Sequence, residues 1–121
     1  MAYHQDWLMR QIEAISVMLA YLLSQKAPAI VTLEEKEETA GGVDPLLLRL
    51  QALVAGKQVC QAENLLYEAL ERPNRAVLDA ANWFYTHLNT WSDAELSACD
   101  FSREEIMSGL QEVCRCFGIP V

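Results

Sequence analysis

Apolar residues recur along this chain with the spacing of α-helices, and this periodicity limits the fold more than any other feature of the sequence. The clearest case covers residues 74–91, where the intervals are four, three, four and three residues: Val77, Ala81, Phe84, Leu88 and Trp91. Residues at these intervals share one face of a helix that turns once every ~3.6 residues. No segment alternates convincingly between apolar and polar residues, as a half-buried strand does. The sequence therefore predicts an all-α fold.

The first predicted helix covers residues 3–26 and carries two apolar stripes side by side. The first stripe consists of Leu8, Ile12, Ile15, Leu19 and Leu22, and the second consists of Trp7, Ala14, Met18 and Tyr21. Together the stripes cover about half of the circumference, which is more than a helix needs when only its inner side is covered. Either this helix is sandwiched within the domain, or its second stripe meets another subunit.

An acidic, flexible linker is predicted at residues 27–43. Pro28 stops the first helix, and Gly41 and Gly42 add backbone freedom. Residues 34–38 (EEKEE) could hold a metal ion or a partner, but a charge run of this kind is usually solvated surface.

A first helical hairpin is predicted at residues 44–71. Asp44 suits the N-cap of its first helix, Pro45 suits the first helical position, and Gly56 suits the end of that helix. The second helix of this hairpin covers residues 57–71.

A second hairpin is predicted at residues 73–118, and it completes a single domain over residues 1–121. Its first helix is the periodic segment 74–91, and its second begins at Ser102. Ser102 and Glu105 match a capping box, while Phe101 and Ile106 match the hydrophobic staple that accompanies one. The sequence thus predicts a five-helix array, with one long N-terminal helix followed by two hairpins.

Five residues near the first hairpin resemble the second half of a tetratricopeptide repeat: Gly56, Ala62, Leu66, Ala69 and Pro73. Two of their spacings depart from that repeat by one residue each. Residues 6–13 (DWLMRQIE) and 100–106 (DFSREEI) also resemble a family of small uncharacterised bacterial proteins classed as a domain of unknown function. This resemblance implies a compact helical fold with tetratricopeptide-like hairpins. It implies no activity and no catalytic residues.

The charge and hydropathy of the chain disfavour two classes of partner. With 17 acidic and 9 basic residues the net charge is −8, so phosphate backbones and anionic membrane surfaces are repelled. The longest apolar run, residues 17–23, is too short to span a bilayer and lacks the features of a secretory signal. We therefore expect a cytoplasmic protein that binds neither nucleic acid nor membranes.

The four cysteines are Cys60, Cys99, Cys114 and Cys116. They could pair as disulfides, but a reducing compartment favours free thiols that fill the core. Cys114 and Cys116 lie two residues apart on a predicted helix, and they point about 200° apart and cannot hold one metal ion from one face.

No recognisable catalytic motif is present in the sequence. The two histidines, His4 and His87, have no acidic partner at helical spacing, and the Glu-x-x-His, His-Glu-x-x-His, phosphate-loop and Gly-x-Ser-x-Gly patterns are missing. We expect a nonenzymatic protein with no cofactor and no metal site.

Surplus aromatic and methionine side chains are the remaining functional signal, since such residues are enriched at protein interfaces. The candidate interaction surface consists of Trp7, Met18, Tyr21, Trp83 and Tyr85. Other helices of the same bundle could cover these residues. The first hypothesis is an interaction module that forms a homodimer through its first helix or binds another protein. The alternatives are a ligand-binding or catalytic pocket near Trp83, Tyr85 and His87, and a subunit of a larger complex.

Overall fold

The computed structural model describes residues 2–25 and 45–120, and within these ranges every regular element is an α-helix. The helices are α1 (Ala2–Gln25), α2 (Pro45–Ala55), α3 (Val59–Ala69), α4 (Arg75–Asn89), α5 (Asp93–Ala98) and α6 (Arg103–Cys116). The all-α prediction is confirmed, and the predicted number of helices is one too low because α5 was not predicted. The predicted linker at 27–43 lies outside the described residues, as does the predicted N-cap Asp44.

Helix α4 is the centre of the packing, since it contacts α1, α2, α3 and α6. Helix α1 lies against α4 and α6, while α2 and α3 pack on each other as a hairpin joined by residues 56–58. Because neighbours surround α4, its buried residues extend well beyond the predicted face: Val77, Leu78, Ala80, Ala81, Phe84, Tyr85, Leu88 and Asn89. Helix α4 is therefore buried on several sides, although its sequence predicts a helix with one apolar face.

The first predicted stripe of α1 faces this core. Leu8, Ile12 and Leu19 are buried, and Ile15 and Leu22 pack partly buried against the same cluster. Leu23, which is not part of the predicted stripe, is also buried. Burying such side chains contributes roughly 1.5–3 kcal/mol each, so this stripe is what fixes α1 on α4 and α6.

Polar contacts also join α1 to α4. The Thr86 hydroxyl donates to Ser16 Oγ at 2.8 Å, and the Asn82 side-chain amide donates to the Ser16 carbonyl at 3.4 Å. Near the last described residue of α1, the Arg75 guanidinium donates to the Leu23 carbonyl. These bonds fix the register of α1 along α4.

The turn between α2 and α3 differs from the prediction in one respect. The predicted terminator, Gly56, is the first residue after α2, and the next residue, Lys57, adopts the left-handed conformation with φ of 66°. The amide of Gln58 donates to the Leu53 carbonyl at 2.8 Å and that of Lys57 donates to the Val54 carbonyl at 2.9 Å, which is a Schellman motif. A lysine therefore occupies the position that glycine fills most easily.

Helix α5 begins and ends with motifs that its sequence contains but that were not recognised in advance. The Ser92 amide donates to Glu95 Oε1 at 2.8 Å and the Glu95 amide donates to Ser92 Oγ at 3.1 Å, so a full capping box starts the helix. A second Schellman motif ends it, with Asp100 at φ 60° and the Phe101 amide bonded to the Leu96 carbonyl at 2.9 Å.

The left-handed Asp100 provides a test of this turn. Asp100→Gly removes the Cβ strain at a small entropic cost, so we expect a gain of about 0.5 kcal/mol in the free energy of unfolding, measured in urea. Asp100→Val should lose about 1 kcal/mol, because a branched side chain is strained at positive φ. The control Ser97→Gly, within α5, should also lose about 0.5–1 kcal/mol. A gain for Asp100→Val would contradict the assigned conformation.

The predicted start of the last helix is confirmed at Ser102. Its Oγ accepts from the Glu105 amide at 3.2 Å, but the two side chains bond each other at 3.1 Å, in contrast to the two-way box at Ser92. Phe101 and Ile106 are both buried, as a staple requires. Gly118, at φ 68°, closes α6 with a third Schellman bond, from the Ile119 amide to the Cys114 carbonyl at 2.8 Å.

Arg103 is a buried charge that joins four helices. Its Nη1 donates to the Asn89 carbonyl at 3.0 Å and to Asn89 Oδ1 at 3.1 Å, and its Nη2 donates to the Trp91 carbonyl at 2.9 Å and to Asp93 Oδ1 at 2.7 Å. The Asn89 amide in turn donates to the Met9 carbonyl of α1 at 3.3 Å. One guanidinium thus caps the end of α4 and fixes α5 and α6 relative to α1.

Candidate functional site

The side of α1 opposite the core exposes a row of apolar residues. We define the outer α1 face as Trp7, Ala14, Val17 and Tyr21. Trp7 is 54% exposed, Val17 is 68% exposed and Tyr21 is 61% exposed. At 100° per residue these positions lie within about one quarter of the helix circumference, roughly opposite Ile12 and Leu19, and the exposed Arg10 lies in the same sector. Exposed apolar patches of this kind mark interaction sites more often than scattered apolar residues do.

The structure divides the predicted interaction residues into separate groups. Trp7 and Tyr21 lie on the outer α1 face, whereas Met18 is half-buried against the core. Trp83 is also half-buried, on the side of α4 near α2. Tyr85 is fully buried, so its assignment to a surface is wrong: α4 is covered on several sides, and its neighbours hide this ring.

A shallow groove of about 390 Å³ lies between the carboxyl end of α2 and α4. We call it the tryptophan groove; its lining residues are Gln51, Val54, Ala55, Lys57, Trp83, His87 and Trp91. The rings of Trp83 and His87 stack with centroids 4.9 Å apart and an interplanar angle of 12°. Of the three residues predicted near the alternative pocket, Trp83 and His87 line this groove, whereas Tyr85 points to another side of α4.

The side chain of Tyr85 instead passes close to Gly109 of α6 and reaches Glu63 of α3. Its hydroxyl donates to Glu63 Oε2 at 2.7 Å. A Cβ at Gly109 would lie 2.2 Å from the Tyr85 oxygen, so only glycine leaves room for this ring. The Glu63 carboxylate also takes a hydrogen bond from Tyr67. Tyr67, Tyr85 and Glu63 form one polar cluster between α3, α4 and α6.

Burial dominates the ionisation of this cluster. Desolvation raises the pKa of Glu63, and the nearby Glu105 carboxylate raises it further, against the lowering effect of the hydrogen bonds from Tyr85 and Tyr67. Desolvation and the charge of Glu63 also raise the pKa of both tyrosines. Both phenols are therefore protonated at neutral pH and act as hydrogen-bond donors rather than as bases.

Glu63 provides a pH test of this cluster. Because its pKa is higher in the folded chain, the folded state binds the proton more tightly, and stability falls as pH rises through the interval between the two pKa values. Glu63→Gln keeps an oxygen that accepts from Tyr85 and abolishes that fall. We expect the free energies of unfolding of the wild type and the variant, measured in urea, to diverge as the pH rises, with the variant becoming the more stable of the two. Parallel pH profiles would contradict a raised pKa at Glu63.

Another groove, of about 560 Å³, lies between α3 and α6 beside this cluster, and is lined by Tyr67, Leu70, Glu71, Ser108, Glu112 and Cys116. Desolvation and the charge of Glu112 raise the pKa of Cys116, which disfavours its thiolate. Desolvation does the same for Cys114 and Cys60. At all three positions the net effect disfavours the thiolate that a cysteine nucleophile needs, although the charge of Arg115 opposes the raised pKa of Cys116.

The sequence of the chain matches a protein family. The profile of a family of unknown function, DUF6483, matches residues 2–118. The chain belongs to this family. No curated protein and no solved structure matches the chain. The DUF6483 match agrees with the resemblance inferred from residues 6–13 and 100–106, and the family brings no assigned activity.

Within residues 2–25 and 45–120, no three His, Cys, Asp or Glu side chains converge so that they could hold a metal ion. None of the helices described there has an apolar stretch long enough to cross a lipid bilayer. The side chain of His4 lies outside the part of the chain that the structure describes.

Two parts of these sites were missed from the sequence. Lys57 is isolated along the chain, yet its Nζ lies 4.5 Å from the centre of the Trp91 ring. The only local signal was its place directly after the predicted helix end at Gly56. Glu63 carries no signal, because its partner Tyr85 is on another helix.

Proposed function

We propose that this chain is a nonenzymatic interaction module that self-associates through the outer α1 face. One observation supports this most: Trp7, Val17 and Tyr21 are large, apolar and more than half exposed, and all three lie on one stripe of one helix. Water contact with such a stripe costs free energy that a partner surface would recover.

The spacing of the stripe favours a second copy as the partner. Trp7, Ala14 and Tyr21 follow each other at intervals of seven residues, with the smallest in the middle. A twofold axis through Ala14 pairs two α1 helices antiparallel, so that Trp7 of each copy meets Tyr21 of the other. The two Ala14 residues then face each other and allow close approach of the helices. A twofold interface requires this kind of self-complementary patch.

The size of the face predicts a weak dimer. A half-exposed aromatic side chain contributes about 100 Å², so the face offers roughly 300–400 Å² per copy, against about 800 Å² in a stable interface. The net charge of −8 also opposes association. We expect a dissociation constant of roughly 10–500 μM, and tighter association when salt screens the repulsion.

The finer parts of the proposal concern architecture and location. Helix pairs α2–α3 and α4–α6 act as tetratricopeptide-like hairpins, with α1 covering one side and presenting its outer face. Support comes from the repeat-like residues, of which Ala62 and Leu66 are buried. We place the protein in the bacterial cytoplasm, where its four unpaired cysteines would be kept reduced.

Sedimentation velocity of two matched variants tests the interface. Val17→Asp puts a charge in the outer α1 face, and Leu48→Asp puts one at a leucine of α2 that is 51% exposed. At the highest concentrations, we expect the wild type and Leu48→Asp to approach twice the chain mass of 13.6 kDa, and Val17→Asp to stay at 13.6 kDa. If both variants associate as the wild type does, α1 is not the interface. A wild type that stays monomeric at millimolar concentration removes the proposal.

A further inference from the structure

The tryptophan groove has an aromatic wall that continues along α4 into the following turn. His87 stacks on Trp83 and meets Trp91 edge to face, with ring centroids 6.1 Å apart. Val54 and Ala55 of α2 form the opposite, aliphatic side. A slot with aromatic rings on one side and small aliphatic groups on the other suits a flat ring. Its volume of about 390 Å³ is within the range of small-molecule sites.

Lys57 brings a positive charge to this slot at a cost to the backbone. It holds φ of 66°, where glycine would be free of strain, and its ammonium lies 4.5 Å from the centre of the Trp91 ring. Strained residues of this kind concentrate at functional sites. The turn itself favours glycine at this position, so a role of the lysine side chain in the groove would explain why lysine is present.

The charges around the groove favour an anion. Among the residues that the structure describes, none of those lining the groove is acidic. The pKa of Glu95 is lowered mainly by the hydrogen bond from the Ser92 amide in the capping box, and the charge of Lys57 lowers it further. The Glu95 carboxylate is therefore engaged by its own helix as well as lying near Lys57. Helix α3 begins at Val59 without a side-chain cap on its first amides, so its positive end lies beside Lys57. Lys57 is thus the one formally charged side chain among the described residues that line the groove, on a chain whose net charge is −8.

We propose that the tryptophan groove binds a planar aromatic anion, which stacks on Trp83 and Trp91 and pairs its negative group with Lys57. This site is separate from the outer α1 face and does not depend on self-association. The ligand class follows from the two contacts together: the rings select a flat apolar body, and the ammonium selects a carboxylate or a similar anion.

Fluorine NMR of the full chain labelled with 5-fluorotryptophan tests the proposal. The chain has three tryptophans, so three resonances are assigned from Trp→Phe variants. Titration with 2-naphthoate should shift the resonances of Trp83 and Trp91 saturably and leave that of Trp7 in place. The cation 2-naphthylmethylammonium has the same ring system and should bind at least about tenfold more weakly.

Lys57 variants separate a binding role from a structural one. Lys57→Gly removes the ammonium and suits the backbone, so affinity for 2-naphthoate should fall about tenfold while the urea midpoint stays the same or rises. Lys57→Arg retains a cation and should bind within about threefold of the wild type.

Three results would overturn the proposal. The first is equal affinity for the naphthalene anion and cation. The second is unchanged 2-naphthoate binding by Lys57→Gly. The third is a 2-naphthoate shift confined to Trp7, or no shift of any tryptophan at millimolar concentration.

Discussion

Replacing Arg103 with leucine is expected to lower the free energy of unfolding by about 3 kcal/mol. Arg103 is 3% exposed. Its guanidinium donates to the carbonyls of Asn89 and Trp91, to the side chain of Asn89 and to the carboxylate of Asp93. Leucine fills the space and leaves buried acceptors without donors, each at a cost of about 1–3 kcal/mol. Urea unfolding monitored by circular dichroism gives the difference.

Arg115 is the matched control. It pairs with Glu112 within α6, but 71% of its side chain is exposed. Such surface pairs contribute about 0–1 kcal/mol, so Arg115→Leu should change stability by less than about 1 kcal/mol. Arg103→Lys, which keeps the charge but loses the fork of donors, should fall between the two. Equal losses for Arg103→Leu and Arg115→Leu would show that the buried network does not hold the helices together.

Gly109→Ala is expected to cost about 3 kcal/mol, at the upper end of overpacking effects. The new methyl group would lie 2.2 Å from the Tyr85 hydroxyl and 2.3 Å from the ring carbon that bears it. Tyr85 is fully buried and its hydroxyl donates to Glu63, so a shift of the ring away from the new methyl group would break that bond. The expected readout is a lower urea midpoint with an unchanged fold at low denaturant.

A second glycine and a double mutant make this prediction specific. Gly56→Ala places its Cβ 3.6 Å from the nearest backbone oxygen and should be neutral or stabilising by up to about 1 kcal/mol. In a Tyr85→Leu background, Gly109→Ala should cost less than about 1 kcal/mol, since the clashing atoms are gone. A full cost in that background would mean that the close approach of Tyr85 is not the cause.

Sequence periodicity sufficed for the helices because it reports local amphipathicity. The stripe from Leu8 to Leu22, the face from Val77 to Leu88 and the N-cap at Ser102 were all visible along the chain. Helix α5 was also encoded locally, in the Ser92–Glu95 capping box, but six residues are too few to show a period.

Residues whose role depends on partners distant in sequence could not be predicted. Tyr85 and Trp83 are two positions apart and both aromatic, yet neighbouring helices bury the first and leave the second half-exposed. Arg103 and Lys57 look like ordinary surface cations along the chain, and only the fold places one under Asn89 and the other over Trp91. Of the second stripe of α1, Trp7 and Tyr21 are exposed, whereas Met18 packs partly buried against the core.

Transfer of magnetisation between two differently labelled copies tests the interface of α1 most directly. Trp7 and Tyr21 lie about 21 Å apart along one helix, since each residue rises 1.5 Å, so their rings cannot touch within a chain. In a mixed-label sample at millimolar concentration, self-association through the outer α1 face predicts nuclear Overhauser contacts between Trp7 of one copy and Tyr21 of the other. Val17→Asp should abolish them. A dimer that shows its intermolecular contacts elsewhere, or a chain that shows none at all, would contradict the proposed interface.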